Sequence, residues 1–293
     1  MAANTLSILK PSVNNLSARI FVRAAGIEVE EVDMWGHKGT PEFLAKDPAD
    51  LTPCLEDADL PNGSMWESCA IMQYLCNKHS LDQFYPSDPG RRAMVDSAMF
   101  YLIGTLYPVL ARATYPTLGF PQYAGETATS AADDATKAQA AKDATDALTV
   151  PLNAFHEFFL KGDRFIGGGQ GPSIADIRLA ATLEFLASID YELPEWLAAH
   201  KAAVEEALGD AYSEPAADVR GFVASVKTAA YSRNRSLRAL QPISCVQFNF
   251  VFLGPKPPRG VSLRPGSAPQ PRPSYVESPA THGRGPLRPK FRT

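Results

Sequence analysis

Residues 51–68 read Leu-Thr-Pro-Cys-Leu-Glu-Asp-Ala-Asp-Leu-Pro-Asn-Gly-Ser-Met-Trp-Glu-Ser. Asp59, Pro61, Asn62 and Gly63 are turn residues, and they separate Cys54–Glu56 from Ser64–Trp66 as two short strands of a hairpin. The first strand opens behind a proline, and a proline is tolerated in a sheet only at an edge or at a strand start. A cis Thr52-Pro53 bond would turn the preceding backbone outward, where its N–H and C=O can pair with an extended peptide. On this pair alone a trans bond is the default, because cis is about 5–6% of X–Pro bonds. The second strand runs into Glu67-Ser68. Ser68 stands where a helix N-cap belongs, and a helix N-terminus offers free N–H groups and positive potential to an anion. Glu67 beside it can receive an ammonium. Together they suit the end of an amino acid, although a plain capping serine accounts for Ser68 taken alone.

Working outward, Ser68–Lys78 is an amphipathic helix with Ile71, Met72, Leu75 and Cys76 on one face. On the N-terminal side, Leu6–Leu9 is a short apolar strand. Ser17–Ala25 carries Ile20, Phe21 and Ala24 at helical spacing, and Gly26 ends it as a C′ glycine. Val29–Val32 alternates apolar and acidic residues, as a half-buried strand does. Residues 33–53 form a polar connection in which Gly36 and Gly39 bracket His37 and Lys38. Two basic donors there can hold a carboxylate, and a solvated loop charge is the commoner use of such residues. The order is β-α-β, a loop, then β-β-α. Lys10-Pro11-Ser12-Val13-Asn14-Asn15 follows the first strand, the edge at which open α/β sheets gather ligands. Ser12 belongs to no Gly-x-Ser-x-Gly arrangement, so a triad is not its context.

From Pro89 onward the pattern is helical. Arg92–Thr114 is a long apolar-periodic stretch that Pro108 should kink. Tyr115–Gly125 is aromatic and interrupted by proline, and Ala131–Leu160 is Ala-rich and then apolar. Ser173–Ser188 opens with Ser173-Ile174-Ala175-Asp176, a capping box with Asp in the place of Glu. Pro194–Leu208 and Val219–Tyr231 close the body. The division is therefore an α/β domain over 1–80, a linker over 81–88, an all-helical domain over 89–232, and a tail over 233–293. Pro255–Thr293 holds ten prolines among 39 residues, a composition that cannot bury a core and reads as disordered. Ile243–Leu253, with Val246, Phe248, Phe250 and Phe252 alternating, resembles a strand without a turn-linked partner.

Charge follows the same division. The formal net charge is −4, yet 233–293 carries eleven Lys or Arg against Glu277 alone, leaving −14 on 1–232. An acidic body argues against bulk nucleic-acid binding. No run of 18 or more apolar residues exists, which argues against a spanning helix. Met1–Lys10 lacks the pattern of a secretory signal. Cys54, Cys69, Cys76 and Cys245 form no disulfide framework in a chain of 293 residues, so a reducing, cytoplasmic setting is the expectation. His37, His79, His156, His200 and His282 show no ligand spacing, so no metal is expected. Cys69 and Cys76 share a helix face and read as buried, and Gly167-Gly168-Gly169 reads as a loop.

In combination these pieces resemble the cytosolic glutathione S-transferases over most of 1–232. The carriers are Gly36-His37-Lys38, Pro41-Glu42-Phe43, Asp47-Pro48, Pro53 and Glu67-Ser68, followed by the helical half and its Ser-x-x-Asp box. The order is that of the serine-type phi, theta and delta classes, with nu-like features. The resemblance implies a thioredoxin-like N-terminal domain with a cis Pro53, and an all-helical C-terminal domain. It implies glutathione as co-substrate, no other cofactor, a small hydrophobic electrophile as second substrate, and a homodimer that acts in detoxification. Glu67 and Ser68 would hold the γ-glutamyl end, Thr52 with Pro53 the cysteinyl unit, and His37 and Lys38 the glycyl carboxylate. Ser12 falls on the catalytic serine of the serine-type classes, and Asn14 falls close to the asparagine of nu-like members. Either donor, aimed at the glutathione sulfur, favours the nucleophilic thiolate. The second substrate would lie against Tyr107, Arg112 and Tyr115, with Tyr101 and Phe120 as further candidates that core packing explains equally well. No Cys or Tyr occupies the loop after the first strand, which argues against omega-like cysteine chemistry and against the alpha, mu and pi classes. Two alternatives stand beside conjugation: a nu-like glutathione-dependent disulfide reductase or peroxidase, and a non-catalytic glutathione-binding or protein-interaction module.

Overall fold

The structure, a computed structural model, describes residues 4–120 and 134–239. They belong to one compact unit, Met1–Pro242. The alternating stretch at Ile243–Leu253 and the Pro-rich tail lie outside the described residues.

Strand β1 (Asn4–Ile8) buries Leu6 and Ile8 completely. Helix α1 (Val13–Ala24) follows and returns the chain to β2 (Val29–Asp33), which pairs parallel to β1 from Asn4–Val29 to Ile8–Asp33. Val13, Leu16, Ile20 and Phe21 recur at helical spacing and face the core. The helix stops where expected. Gly26 sits at φ +64°, and two bonds close the end: Gly26 N–H to the Arg23 carbonyl at 3.1 Å, and Ile27 N–H to the Val22 carbonyl at 2.8 Å. This is the Schellman pattern, which places its C′ residue in the left-handed region that glycine enters freely. The start differs from expectation. α1 begins at Val13, four residues before Ser17, because Val13 and Leu16 extend its apolar face through two poor helix formers, Asn14 and Asn15.

The connection contains one helical turn, α2 (Pro41–Leu44), started by Pro41 and capped by Thr40, whose hydroxyl accepts from Phe43 N–H. Strands β3 (Cys54–Glu56) and β4 (Ser64–Trp66) then form the hairpin, with the boundaries read from the sequence. β3 runs antiparallel to β1, so the sheet order is β2-β1-β3-β4, a mixed thioredoxin-like sheet. Alternation along β3 sends Leu55 into the main core and Cys54 to the opposite face, where Met34 and Phe43 cover it. Helix α3 (Ser68–His79) completes this half, with Ile71, Met72, Leu75, Cys69 and Cys76 buried.

The helical half starts at α4 (Pro89–Tyr101), capped by Asp88, which accepts from Arg91 N–H at 2.8 Å. The bend expected at Pro108 takes the form of a π-type turn over Leu102–Leu106, after which α5 (Tyr107–Leu118) continues. Proline has no N–H and its ring crowds the carbonyl four residues back, so the turn before it widens. By length and composition, Pro89–Leu118 would suffice to cross a membrane, with a mean hydropathy of 1.4. Counting unbroken apolar runs does not register this. Its Val95, Ala98, Met99, Leu102, Leu106 and Leu110 lie in the common core, the ordinary use of such a helix. Helices α6 (Asp134–Ala147) and α7 (Thr149–Ala154), and a π-type turn at Phe155–Leu160, come next. Then come α8 (Ile174–Leu183) with a 3₁₀ extension to Ile189, α9 (Glu195–Leu208) and α10 (Asp210–Ala239).

α10 is longer than the stretch expected at Val219–Tyr231. Tyr212, Ala216, Val219 and Val223 form one buried stripe, and it carries the helix past Pro215. One core cluster runs from Leu6 to Val223 through both halves. α1 is its centre, packed against α3, α8 and α10. Arg19 of α1 fastens three elements at once, pairing with Glu31 of β2 at 3.0 Å and with Asp218 of α10 at 2.9 Å. This packing sets the N-terminal ends of α1 and α3 beside α5 and α8.

Candidate functional site

The Thr52-Pro53 bond is cis. Thr52 stands just before β3, whose pairing with β1 ends at Ser7–Cys54, so its N–H and C=O lie outside the ladder. The segment is held from behind. Asp47 is fully buried and its carboxylate accepts from Ala49 N–H at 2.9 Å and from Leu51 N–H at 2.8 Å. Thr52 Oγ1 accepts from Asn15 Nδ2 at 3.2 Å, tying the loop to α1.

At the start of α3 the sequence reading needs a correction. Ser68 is the first helical residue, and Glu67 is the N-cap. The Glu67 carbonyl accepts Ile71 N–H at 2.9 Å, as an N-cap carbonyl does. Its backbone sits at φ +75°, ψ 107°, where a non-glycine residue costs about 1–3 kcal/mol and where such residues cluster at ligand sites. No side chain caps α3, so the first N–H groups of the helix have no intrahelical partner and face outward with the Ser68 hydroxyl beside them.

Across from this edge stand α1, α5 and α8. Asn14 Nδ2 donates to the Tyr107 hydroxyl at 3.2 Å, and the Tyr107 and Tyr115 hydroxyls are 2.7 Å apart. Arg178 donates to Asn14 Oδ1 and to Thr182 Oγ1, and its guanidinium lies over the Tyr107 ring, 5.0 Å from the centroid. Asn14, Leu51, Thr52, Pro53, Glu67, Ser68, Ile103, Tyr107 and Arg178 enclose a cleft of about 200 Å³. The cleft therefore has a cationic and donor-rich floor, an acidic edge at Glu67, and apolar sides at Leu51, Pro53 and Ile103. Such a site suits a zwitterionic end group and an anion together.

Five expected residues thus come together: Asn14, Thr52, Pro53, Glu67 and Ser68, joined by Tyr107 of the expected wall. Others do not line the cleft. Ser12 is the N-cap of α1, half-buried, and its hydroxyl makes no capping hydrogen bond. His37 and Lys38 are exposed in the loop between Gly36 and Gly39. That loop is drawn to the rim, since Gly39 N–H donates to Asp50 Oδ1 at 2.9 Å and Lys38 Nζ lies 3.9 Å from Asp50 Oδ2. Tyr115 stands behind Tyr107 and packs against Phe120 and Phe185. Arg112 is exposed and takes no part in the cleft lining. Tyr101 packs between Phe155 and Phe159, which is the core-packing alternative.

Arg178 is the residue that sequence reasoning missed. Its signal was present: it is the one long cation in Ile174–Leu183, a helix buried on every side. Ser173 and Asp176 aim this helix. Ser173 N–H and Oγ donate to Asp176 Oδ2 at 2.7 and 2.6 Å, and Ile166 N–H donates to Oδ1 at 3.0 Å. The capping box is formed as expected. Cys54, Cys69 and Cys76 are buried, and burial pushes Cys54 up to about 11 and Cys76 up to about 12. Neither is a nucleophile near neutral pH.

A family model described as glutathione S-transferase, N-terminal domain, matches residues 5–77. Glutathione S-transferase T2 of Arabidopsis thaliana is 31% identical over 159 residues, which are 52% of this chain and 24% of that protein. Glutathione S-transferase D6 of Drosophila melanogaster is 27% identical over 181 residues, 59% of this chain and 73% of that protein. The apo form of human glutathione S-transferase T1-1 shares the fold, with a TM-score of 0.64 at 23% identity over 80% of this chain and 99% of that one. Residues 5–77 match a glutathione S-transferase N-terminal domain, and the body of the chain is similar to cytosolic glutathione S-transferases in sequence and fold. The chain spans only about a quarter of the length of the Arabidopsis relative. Within this similarity, the cleft of the chain combines the cis proline and the strained glutamate at the head of α3 with a buried arginine.

Proposed function

We propose that this chain is a glutathione transferase that joins the thiolate of glutathione to small hydrophobic electrophiles. The observation that carries the proposal is one cleft in which cis Thr52-Pro53, Glu67 and the open start of α3 face Asn14 and Tyr107. The match of residues 5–77 to a glutathione S-transferase N-terminal domain and the similarity to relatives named as glutathione S-transferases support it. Residues 1–80 supply the glutathione site, and 89–232 supply the surface met by the second substrate.

In this reading Glu67 receives the γ-glutamyl ammonium, while Ser68 and the first N–H groups of α3 take its carboxylate. The backbone of Thr52 pairs with the cysteinyl unit as an added strand. His37 and Lys38 reach the glycyl carboxylate from the rim. Asn14, in the cleft, and Ser12, two residues before it, are the donors proposed for the sulfur. The thiol proton leaves to solvent, and the thiolate sulfur attacks the electrophilic carbon. A C–S bond forms as the leaving group departs with its bonding pair, and Tyr107, backed by Tyr115, lines the path. Glutathione is the co-substrate and no other cofactor is required. A cytoplasmic homodimer with a role in detoxification completes the proposal.

Initial rates with glutathione and a chloro-nitroaromatic test it directly. Saturable thioether formation is expected. Turnover of a glutathione mixed disulfide without conjugation would replace the transferase with a reductase. Retention on immobilised glutathione without either turnover would leave a binding module.

A further inference from the structure

Arg178 is 1% exposed, and its guanidinium carries a permanent charge. A buried charge is retained where a partner of opposite sign balances it, because its desolvation otherwise costs several kcal/mol. Among the described residues no ion pair joins Arg178 to a carboxylate; its partners are Asn14 Oδ1, Thr182 Oγ1, the Tyr107 ring and the Cys69 thiol. Its Nε is buried and unpartnered. The uncompensated cation lines the cleft. The molecule therefore holds a positive charge in a low-dielectric wall and leaves the balancing anion to come from outside.

The hydrogen bonding gives this charge a direction. A guanidinium only donates, so the Asn14 atom facing it is the carbonyl oxygen. The Asn14 amide nitrogen is thereby turned toward Tyr107 and the cleft, and it is a better donor for being polarised by the cation. Tyr107 accepts from Asn14 and shares a second hydrogen bond with the Tyr115 hydroxyl at 2.7 Å. The titratable groups facing this point are Glu67, Tyr107, Cys69 and Arg178, with Tyr115 behind Tyr107. Among the described residues Glu67 is the single carboxylate lining the cleft, and it is exposed.

Resting on the transferase reading above, we propose that Arg178 is a positioning residue whose buried charge holds Asn14 as a fixed donor and favours the anionic sulfur of glutathione in this cleft. Arg178 acts through Asn14 and Tyr107 and need not touch the substrate.

The test is the thiol pKa of glutathione bound to the full chain, read from thiolate ultraviolet absorption against pH, with S-methylglutathione affinity measured alongside. Arg178→Gln keeps a donor for Asn14 Oδ1 and removes the charge. It is expected to raise that pKa by about one unit, which is about tenfold less thiolate below it. kcat/KM should fall by about the same factor near neutral pH and recover at higher pH. Affinity for S-methylglutathione, which has no thiolate, should be unchanged, and Arg178→Lys should restore most of the thiolate signal. An unaltered pKa in folded Arg178→Gln would overturn the proposal while leaving the transferase standing. If Arg178→Gln does not fold, Asn14→Asp decides. It keeps Arg178 and gives it a carboxylate, so the same rise is expected, and no rise overturns the proposal. Failure of the unaltered chain to bind glutathione would remove the transferase reading itself, and this role with it.

Discussion

Asn14 and Ser12 lie two residues apart at the start of α1, yet they are not equivalent. Asn14 lines the cleft with its amide held between Arg178 and Tyr107, whereas Ser12 occupies the N-cap position without a side-chain capping bond and stands outside the lining. A donor already oriented toward a developing or resident anion is worth about 10²-fold in rate when removed. Asn14→Ala is therefore expected to lower kcat/KM for conjugation by about 10²-fold, and Ser12→Ala by less. Steady-state kinetics on the two variants check this, and the reverse order would assign the sulfur to Ser12. At this scale the sequence was informative where a residue type is unusual in its place, as with proline at a strand start or Glu-Ser at a strand-to-helix junction. It was uninformative for Arg178, because its partner Asn14 is 164 residues away. Only the packing of α1 on α8 brings the two together.

At the scale of elements, the informative signals were local ones. Gly26, the turn at Asp59–Gly63 and the Ser173–Asp176 box each specify an end through bonds to near neighbours, and each end was found where the sequence put it. The start of α1, the π-type turn before Pro108 and the full length of α10 depend on distant contacts. The buried stripe Tyr212, Ala216, Val219 and Val223 overrides the local effect of Pro215. The capping box has a further duty, since it sets the helix that carries Arg178. Asp176 is fully buried and takes donors from Ser173 and Ile166. Asp176→Ala leaves those donors buried without an acceptor, at about 1–3 kcal/mol for each unsatisfied group. A loss of about 3 kcal/mol is expected in denaturant unfolding. A loss within about 0.5 kcal/mol, the size of a surface change, would contradict the assigned role.

At the scale of the molecule, charge that looks diffuse in the composition is organised in space. Glu184, after α8, accepts from Arg220 of α10 at 2.7 Å and from the Tyr212 hydroxyl at 2.9 Å, and pairs with Lys201 of α9 at 2.9 Å. Burial alone would raise its carboxyl, but Arg220 and Lys201 outweigh that and hold it below its ordinary 4.5. The folded state therefore gives up this proton more readily than the unfolded chain. The stabilisation is present above the unfolded value and is lost as pH falls through the lower folded one. Glu184→Gln is expected to lower Tm at neutral pH and to flatten the loss of stability on the acid side of 4.5. Thermal melts across that range check it, and parallel curves for the two proteins would contradict it. The acidic body, near −14 over 1–232, is compatible with an anionic ligand because the local field of Arg178 and the start of α3 governs the cleft. The central claim, that this cleft binds glutathione for conjugation, is tested most directly by the initial rate of thioether formation in the unaltered chain and in Glu67→Ala. The account predicts saturation with glutathione in the unaltered chain and an apparent KM for glutathione raised about tenfold or more in Glu67→Ala, from the loss of a charge-assisted partner. No conjugation by the unaltered chain, or the same KM in both proteins, would contradict it.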